Sequence, residues 1–302
     1  MPNGRVTVFI PVLNGRRYLE EVLDSVAAQG LDGGPDILII DSGSTDGSVD
    51  IVRDRKIRLV QIPNPEFQHG RTRNLAMSLT ETPFVAFLTQ DATPAHDRWL
   101  AELLAPFGDP AVGATYGSQI PRPHADARTA RIITDVYAAP SLLVRHPSER
   151  FPVFSDVNSC LRRTAWESVP FRDVRYAEDY YLARDLLAKG RRLAFNLDAS
   201  VIHSNDVSLG EHFGRMADEV AAIPVTNHQL SLPRQVRNLA HEVRRDAGFA
   251  WRRSRRRALP DVAWAAAAET QRALLMILAA RSPRVFARLH ERISLERRRK
   301  PG

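Results

Sequence analysis

The chain has 302 residues, 44% of them hydrophobic, and a single cysteine, Cys160. That length supports one large domain or a medium domain with an appendage, and one cysteine excludes an internal disulfide and a Cys-cluster zinc site. The charge of +7 is uneven: residues 205–302 carry 19 Arg and Lys against 10 Asp and Glu, a net of +9 that leaves residues 1–204 at −2.

The opening MPNGRVTVFIPVLN has no long apolar segment of the signal-peptide kind. Its run VTVFIPVL (6–13) is β-branched and ends in Asn14–Gly15, which reads as a strand and its exit turn. In RRYLEEVLDSVAAQ (16–29), Leu19, Val22, Leu23 and Val26 recur at helical spacing. DILIID (36–41) is a second strand, followed by cap-type residues and a second helix. IRLVQIP (57–63) is a third strand, and HGRTRNLAMSLT (69–80) reads as a loop running into a helix. PFVAFLTQD (83–91) is a continuous apolar run, as expected of a strand covered on both faces. Thr93–Pro94 has the form of a helix start, N-cap then Pro. VGATYGSQ (112–119) is a further strand, AEDYYLARDLLAKG (177–190) a helix with a glycine stop, and RRLAFNLDASVIHS (191–204) one or two strands. Beyond Ser208 the patterns are helical.

This alternation predicts an α/β fold, a mainly parallel sheet flanked by helices over residues 1–204, with a basic helical region over 205–302. Ligands of such sheets bind at the carboxyl ends of strands, where Asn14, Asp41 and Asp91 are expected. No stretch approaches the ~20 apolar residues of a membrane span. VAWAAAAETQRALLMILAA (262–280) is interrupted by Glu269, Gln271 and Arg272 and reads as an amphipathic or buried helix. WRRSRRR (251–257) and ERRRK (296–300) suit an anionic surface or simply a solvated face.

GxGxxG, GxxxxGK[ST] and GxSxG motifs are absent. What remains is a set of polar groups at strand ends with arginines after the third strand, as a nucleotide diphosphate and a divalent cation require.

FIPVLNGRRYLEEVLDSVAAQ followed by ILIIDSGSTDGSVDIV resembles the opening of family 2 glycosyltransferases, which have the GT-A fold. The resemblance continues in order through FQHGRTRN, FLTQDATP, YGSQIPRPHADA, VNSCLRRTAWE, AEDYYLARDLLAKG and DASVIHS, over about residues 5–210. Within the family it is similar to the bacterial branch that transfers L-rhamnose from a dTDP sugar.

The resemblance implies roles residue by residue. Asp41 contacts the nucleotide base, and Pro11 and Asn14 line its pocket, although Asn14–Gly15 is also an ordinary turn. Arg73, with Arg71 and His69 near it, contacts nucleotide or diphosphate. Gln90 stands beside Asp91, which takes the metal position of a DxD-type motif whose first acid is missing: the triplet reads Thr89–Gln90–Asp91. His203 falls near the metal and diphosphate. Asp179 is the general base and Glu178 supports it, although two acids also suit the first turn of any helix. His124 and Asp126 are candidates for sugar or acceptor contact, and Trp166 belongs to the core or to a sugar platform.

The implied chemistry is inverting transfer with Mg²⁺ or Mn²⁺, from a nucleotide sugar to a glycan or polyprenyl-linked acceptor in cell-surface polysaccharide synthesis. The protein is then expected in the cytoplasm, with peripheral contact at the inner face of the membrane through its basic region. Two alternatives stay open: a hexosyltransferase using UDP or GDP sugars, and a non-catalytic nucleotide-sugar-binding protein. No nucleic-acid module accompanies the basic clusters, so nucleic acid is not expected as a partner.

Overall fold

The computed structural model describes residues 5–294, apart from 32, 152, 205–206 and 223–231. Two compact units divide the chain. The first comprises residues 1–122, 133–174 and 178–204; the second comprises 123–132, 175–177 and 205–302.

The first unit carries β1 (Val6–Val12), α1 (Arg16–Ala27), β2 (Asp36–Asp41), α2 (Ser48–Asp54), β3 (Arg58–Gln61), α3 (His69–Ser78), β4 (Phe84–Leu88), β5 (Thr93–Pro94), α4 (Trp99–Leu104) and β6 (Val112–Pro121). After α5 (Ala127–Val136) come β7 (Leu142–Val144), β8 (Asn158–Arg162), α6 (Arg163–Ser168), α7 (Glu178–Ala188) and β9 (Arg192–His203). The sheet order is β3-β2-β1-β4-β8-β6-β9-β5, with β7 also paired to β9.

Strands β3, β2, β1 and β4 are parallel, as the alternating pattern predicts. The remainder is mixed: β8 is antiparallel to β4 and β6, while β6 and β9 are parallel. Both faces are covered, which explains the continuous apolar runs. Val8, Ile10 and Val12 join one core with Leu19, Val22, Leu23 and Val26 of α1. Phe9, Leu38, Ile40, Val85 and Phe87 face the other, with Leu182, Leu186 and Leu187 of α7. Each such side chain contributes roughly 1.5–3 kcal/mol on burial.

Thr93–Pro94 does not start a helix; it pairs with Val201–Ile202 of β9, and α4 begins at Trp99. The Thr93 hydroxyl donates to Glu21 (2.6 Å) and accepts from Arg122 (2.9 Å), and Pro94, lacking an N–H, suits an edge strand. The segment 191–204 holds one long strand, β9. At its crossing with β6, a Cβ at Gly117 would overlap the Ala199 carbonyl. Asn158 staples the same place, donating to the carbonyls of Ser118 (3.1 Å) and Ala199 (2.7 Å) and accepting from Trp99 Nε1 (2.9 Å).

The second unit contains the start of α5 and the helices α8 (Leu209–Ala222), α9 (Leu232–Arg253), α10 (Ala258–Arg281) and α11 (Pro283–Ile293). Ala217, Leu275 and Phe286 form its main core. Glu269, which interrupts the apolar run of α10, is 3% exposed and accepts from Arg128 (2.6 Å) and Arg272 (2.9 Å). It is therefore a buried ion-pair residue. No helix among the described residues is long and apolar enough to cross a membrane. The ERRRK cluster lies outside the described residues.

Candidate active site

Because β8 runs antiparallel to both β4 and β6, the carboxyl ends of β1, β2, β4, β6 and β9 all lie along one edge of the sheet. That edge collects most of the residues singled out from the sequence.

Asp41 closes β2 and is 1% exposed. Its Oδ1 accepts from the backbone N–H groups of Gly43 (3.0 Å) and Ser44 (3.1 Å), shaping the turn. Its Oδ2 is buried and makes no hydrogen bond among the described residues. A buried acceptor in that state costs free energy until a donor arrives, and the N–H of a nucleobase is such a donor. Asn14 adopts φ of 51°, a left-handed conformation that asparagine tolerates better than most residues. Its Oδ1 accepts from Thr45 N–H (2.8 Å) and its own N–H donates to Ser44 Oγ (2.9 Å), lacing the β1–α1 and β2–α2 loops together. Pro11 pairs with Ile40 in β1, half-buried beside these loops.

Gln90 holds the same β1 exit. Its Oε1 accepts from Leu13 N–H (2.8 Å) and its Nε2 donates to the Leu13 carbonyl (3.1 Å). A carboxylate cannot supply the second bond, so an amide is the side chain that closes this ring.

Asp91 follows β4. Its Oδ1 lies 3.6 Å from Nε2 of His203, the last residue of β9, which is 2% exposed. Burial pushes the Asp91 carboxyl up, but the His203 imidazole beside it outweighs this and holds it at about 2. His203 Nδ1 lies 2.9 Å from Gln119 Oε1. A carboxylate and an imidazole nitrogen converging on one point suit Mg²⁺ or Mn²⁺ with phosphate oxygens completing the shell. No group of three or more His, Cys, Asp or Glu residues that could hold a metal occurs among the described residues. The residues present fit a hard cation held by two protein ligands.

Arg122, which the sequence reading did not single out, anchors Asp91 from behind. It donates from Nη2 to the Asp91 carbonyl (3.1 Å) and from Nη1 to Glu21 (3.2 Å), and stacks 4.0 Å from the Tyr18 ring centroid. Glu21 lies 101 positions away, so no local pattern marks this role.

The polar residues of HGRTRN hold the segment that leads into α7. Gln68 donates to the Val174 carbonyl and accepts from Arg71 N–H (2.5 Å), capping α3. Asn74 accepts from Phe171 N–H (3.0 Å) and Trp166 Nε1 (2.8 Å), which places Trp166 in the core packing. Gly70 gives the room: a Cβ there would overlap the Arg172 carbonyl. Arg71 is exposed and paired with Asp173 (2.8 Å), and His69 packs edge-on against Phe67. Arg73 points the other way. It is buried, donates to Glu178 Oε1 (2.5 Å) and lies 3.2 Å from Asp156 Oδ2. In this structure its guanidinium is engaged by carboxylates.

Asp179 follows Glu178 in the first turn of α7, with one oxygen accepting from Tyr180 N–H (2.8 Å). Burial, then repulsion from Glu178 and Asp156, pushes its carboxyl up to about 8, against the pull of Arg73. A partly accessible carboxyl with affinity for a proton near neutrality is suited to general base work. Asp126, in the second unit, accepts from Thr129 N–H (2.9 Å) and caps α5, and His124 beside it is exposed.

Residues 7–167 match the family model described as glycosyl transferase family 2. The O-antigen chain rhamnosyltransferase RfbN of Salmonella typhimurium is 30% identical over 225 residues, 71% of each chain. The O-antigen chain rhamnosyltransferase WbaN of Salmonella anatum is 31% identical over 191 residues, 60% of each chain. Among solved structures, a mannosyltransferase from Pyrobaculum calidifontis in complex with GDP-Man and Mn²⁺ superposes with a TM-score of 0.57 at 20% identity. That match covers 97% of this chain and 85% of the other. Glucosyl-3-phosphoglycerate synthase from Mycobacterium tuberculosis, in complex with Mn²⁺ and UDP-glucose, superposes with a TM-score of 0.53 at 19% identity, over 74% and 83%.

Proposed function

This chain belongs to glycosyltransferase family 2, and from that premise we propose that it transfers L-rhamnose from dTDP-rhamnose, with inversion, to a glycan or polyprenyl-linked acceptor of a cell-surface polysaccharide. The observation that carries the reading is the placement on one sheet edge of a buried unsatisfied acceptor (Asp41 Oδ2) and a carboxylate–imidazole pair (Asp91, His203), joined by a carboxyl of raised proton affinity at the start of α7 (Asp179). The choice of sugar rests on the two Salmonella rhamnosyltransferases.

Asp41 and the Asn14 loop receive the nucleotide. Asp91 and His203 would hold Mg²⁺ or Mn²⁺, which when bound neutralises the charge that develops on the departing diphosphate. Asp179 takes the proton from the acceptor hydroxyl as that oxygen attacks the anomeric carbon, and Glu178 with Arg73 fixes the start of α7 beneath it. A hydrolase of this kind would require a second carboxyl across the bond as acid or nucleophile.

Thermal-shift titration with dTDP, UDP and GDP, each with Mn²⁺ and with EDTA, tests the donor. The largest shift is expected with dTDP and Mn²⁺, and it should collapse on chelation and in Asp91→Asn. A clear preference for GDP removes rhamnose, and a shift indifferent to EDTA removes the metal.

The basic region supports a peripheral membrane contact at one corner. Trp251 (56% exposed) and Leu259 (81% exposed) flank the turn between α9 and α10, among the exposed Arg252, Arg255, Arg256 and Arg257. Each arginine near an anionic bilayer contributes about 1 kcal/mol. Full-length protein should float with phosphatidylserine vesicles and not with neutral ones, and Arg255→Ala/Arg256→Ala/Arg257→Ala should stay behind. Equal flotation of both proteins sinks the idea.

A further inference from the structure

Gln119 and Tyr137 lie outside the roles assigned above, yet they form an unbroken chain behind His203. The Gln119 side chain sits at the carboxyl end of β6, where β6 runs parallel to β9 and Pro121 pairs with His203. Its Oε1 is 2.9 Å from His203 Nδ1, and its Nε2 donates to the Tyr137 hydroxyl at 2.8 Å. Tyr137 is 8% exposed, its ring stacked on Phe195 with centroids 6.1 Å apart. Its hydroxyl also has Ser155 as a hydrogen-bond partner, and the charge of Asp179 reaches it.

An imidazole has two distinct nitrogens, and the bond made by one decides what the other offers. An amide oxygen accepts and cannot donate, so the nitrogen facing Gln119 Oε1 must carry the proton. The amide is held in that orientation because its NH₂ end is taken by the Tyr137 oxygen. In the neutral ring Nε2 is then left with a lone pair directed at Asp91 Oδ1, 3.6 Å away. A lone pair facing a carboxylate is repulsive, and a cation shared between the two relieves it: a second ring proton in the metal-free protein, a divalent ion in its place when bound.

We propose that Gln119 and Tyr137 are positioning residues that lock His203 in its Nδ1–H tautomer, so that Nε2 and Asp91 together present a preformed seat for a divalent cation. The proposal rests on the metal reading of Asp91 and His203, and it assigns the reason that a family member lacking the first acid of its triplet keeps a competent site. The second ligand is an imidazole held in register by an amide and a phenol.

Two measurements test it. The ring ¹⁵N shifts of His203 in metal-free protein report the tautomer directly. Read at a pH where the ring is neutral, the Nδ1–H form should dominate in wild type and lose its dominance in Gln119→Leu. Mn²⁺ affinity in the presence of dTDP, read from the free Mn²⁺ signal by electron paramagnetic resonance, should fall about 10- to 100-fold in Gln119→Leu, the range found when partners of metal-bound histidines are removed. Tyr137→Phe keeps the ring and its stacking and should fall by less. Gln119→Glu still accepts from Nδ1–H and should recover affinity. A purely structural role predicts no such rescue, since it introduces a charge. Wild type in the Nε2–H form, or Gln119→Leu binding Mn²⁺ like wild type, overturns the proposal. Wild type that binds no Mn²⁺ with dTDP overturns the underlying metal reading, and the proposal with it.

Discussion

Asp179→Asn is expected to lower turnover by about 10²–10⁴-fold, the contribution of a positioned general base, while binding of dTDP with Mn²⁺ stays at the wild-type level. The argument is electrostatic. Asp179, Glu178 and Asp156 share a protein-lined space with the Arg73 guanidinium. Burial and the two neighbouring carboxylates push the Asp179 carboxyl up to about 8. Wild-type turnover should therefore rise with pH up to about that value, because the base must be ionised to accept the hydroxyl proton.

The same shift predicts a stability change of defined sign. The folded protein holds the Asp179 proton up to about pH 8, whereas an unfolded aspartate releases it near 3.8. The folded state thus binds more protons across that window, and stability falls as pH rises through it. Asparagine has no proton to lose. Asp179→Asn should melt higher than wild type at pH 8.5, by a few degrees for roughly 1–2 kcal/mol in a chain of this size, and the two should converge toward pH 4. A variant that keeps wild-type turnover, or that melts lower than wild type at alkaline pH, overturns the assignment.

The legible part of the fold was the part with strong periodicity. Leu19, Val22, Leu23 and Val26 announce α1, and all four are buried in it. The parallel half of the sheet follows from alternation with short loops. Thr93–Pro94 misled because Thr–Pro is a good helix start by local rules, while its partners, Glu21 and Arg122, are tertiary. In the candidate site, single residues at strand ends were legible, because a polar group that closes an apolar run stands out. Their partners were not. Gln90 looks like a substitute for a missing acid, yet its amide bridges both backbone groups of Leu13. Arg122, Gln119 and Asp156 act on residues that are far away in the chain, so they carry no local signature.

Arg73 makes the same point with the largest stability effect. From sequence it is an arginine poised for a diphosphate; in the structure it is 7% exposed and is the cation paired with Glu178 and Asp156. Replacing it by methionine preserves much of the volume and removes the charge. Buried carboxylates then face one another uncompensated, and breaking a buried pair in this way costs about 3–5 kcal/mol. Asp156 already has its carboxyl pushed up by burial even with Arg73 beside it. Without the cation the carboxyls must take up protons to remain buried, so the deficit of Arg73→Met should be largest near pH 8 and shrink as pH falls toward 5.5. Arg73→Lys should recover little, because a single ammonium cannot span two carboxylates as a guanidinium fork does. The double variant Arg73→Met/Glu178→Gln should be more stable at pH 8 than Arg73→Met alone, since it removes one of the stranded charges and the two sites are in direct contact. Urea unfolding of these four proteins and of Glu178→Gln at both pH values reads all of this. A deficit that grows on acidification, or a double variant weaker by the sum of the single effects, would show that Arg73 is held by packing and not by its carboxylates. The diphosphate contact would then regain its claim on the guanidinium.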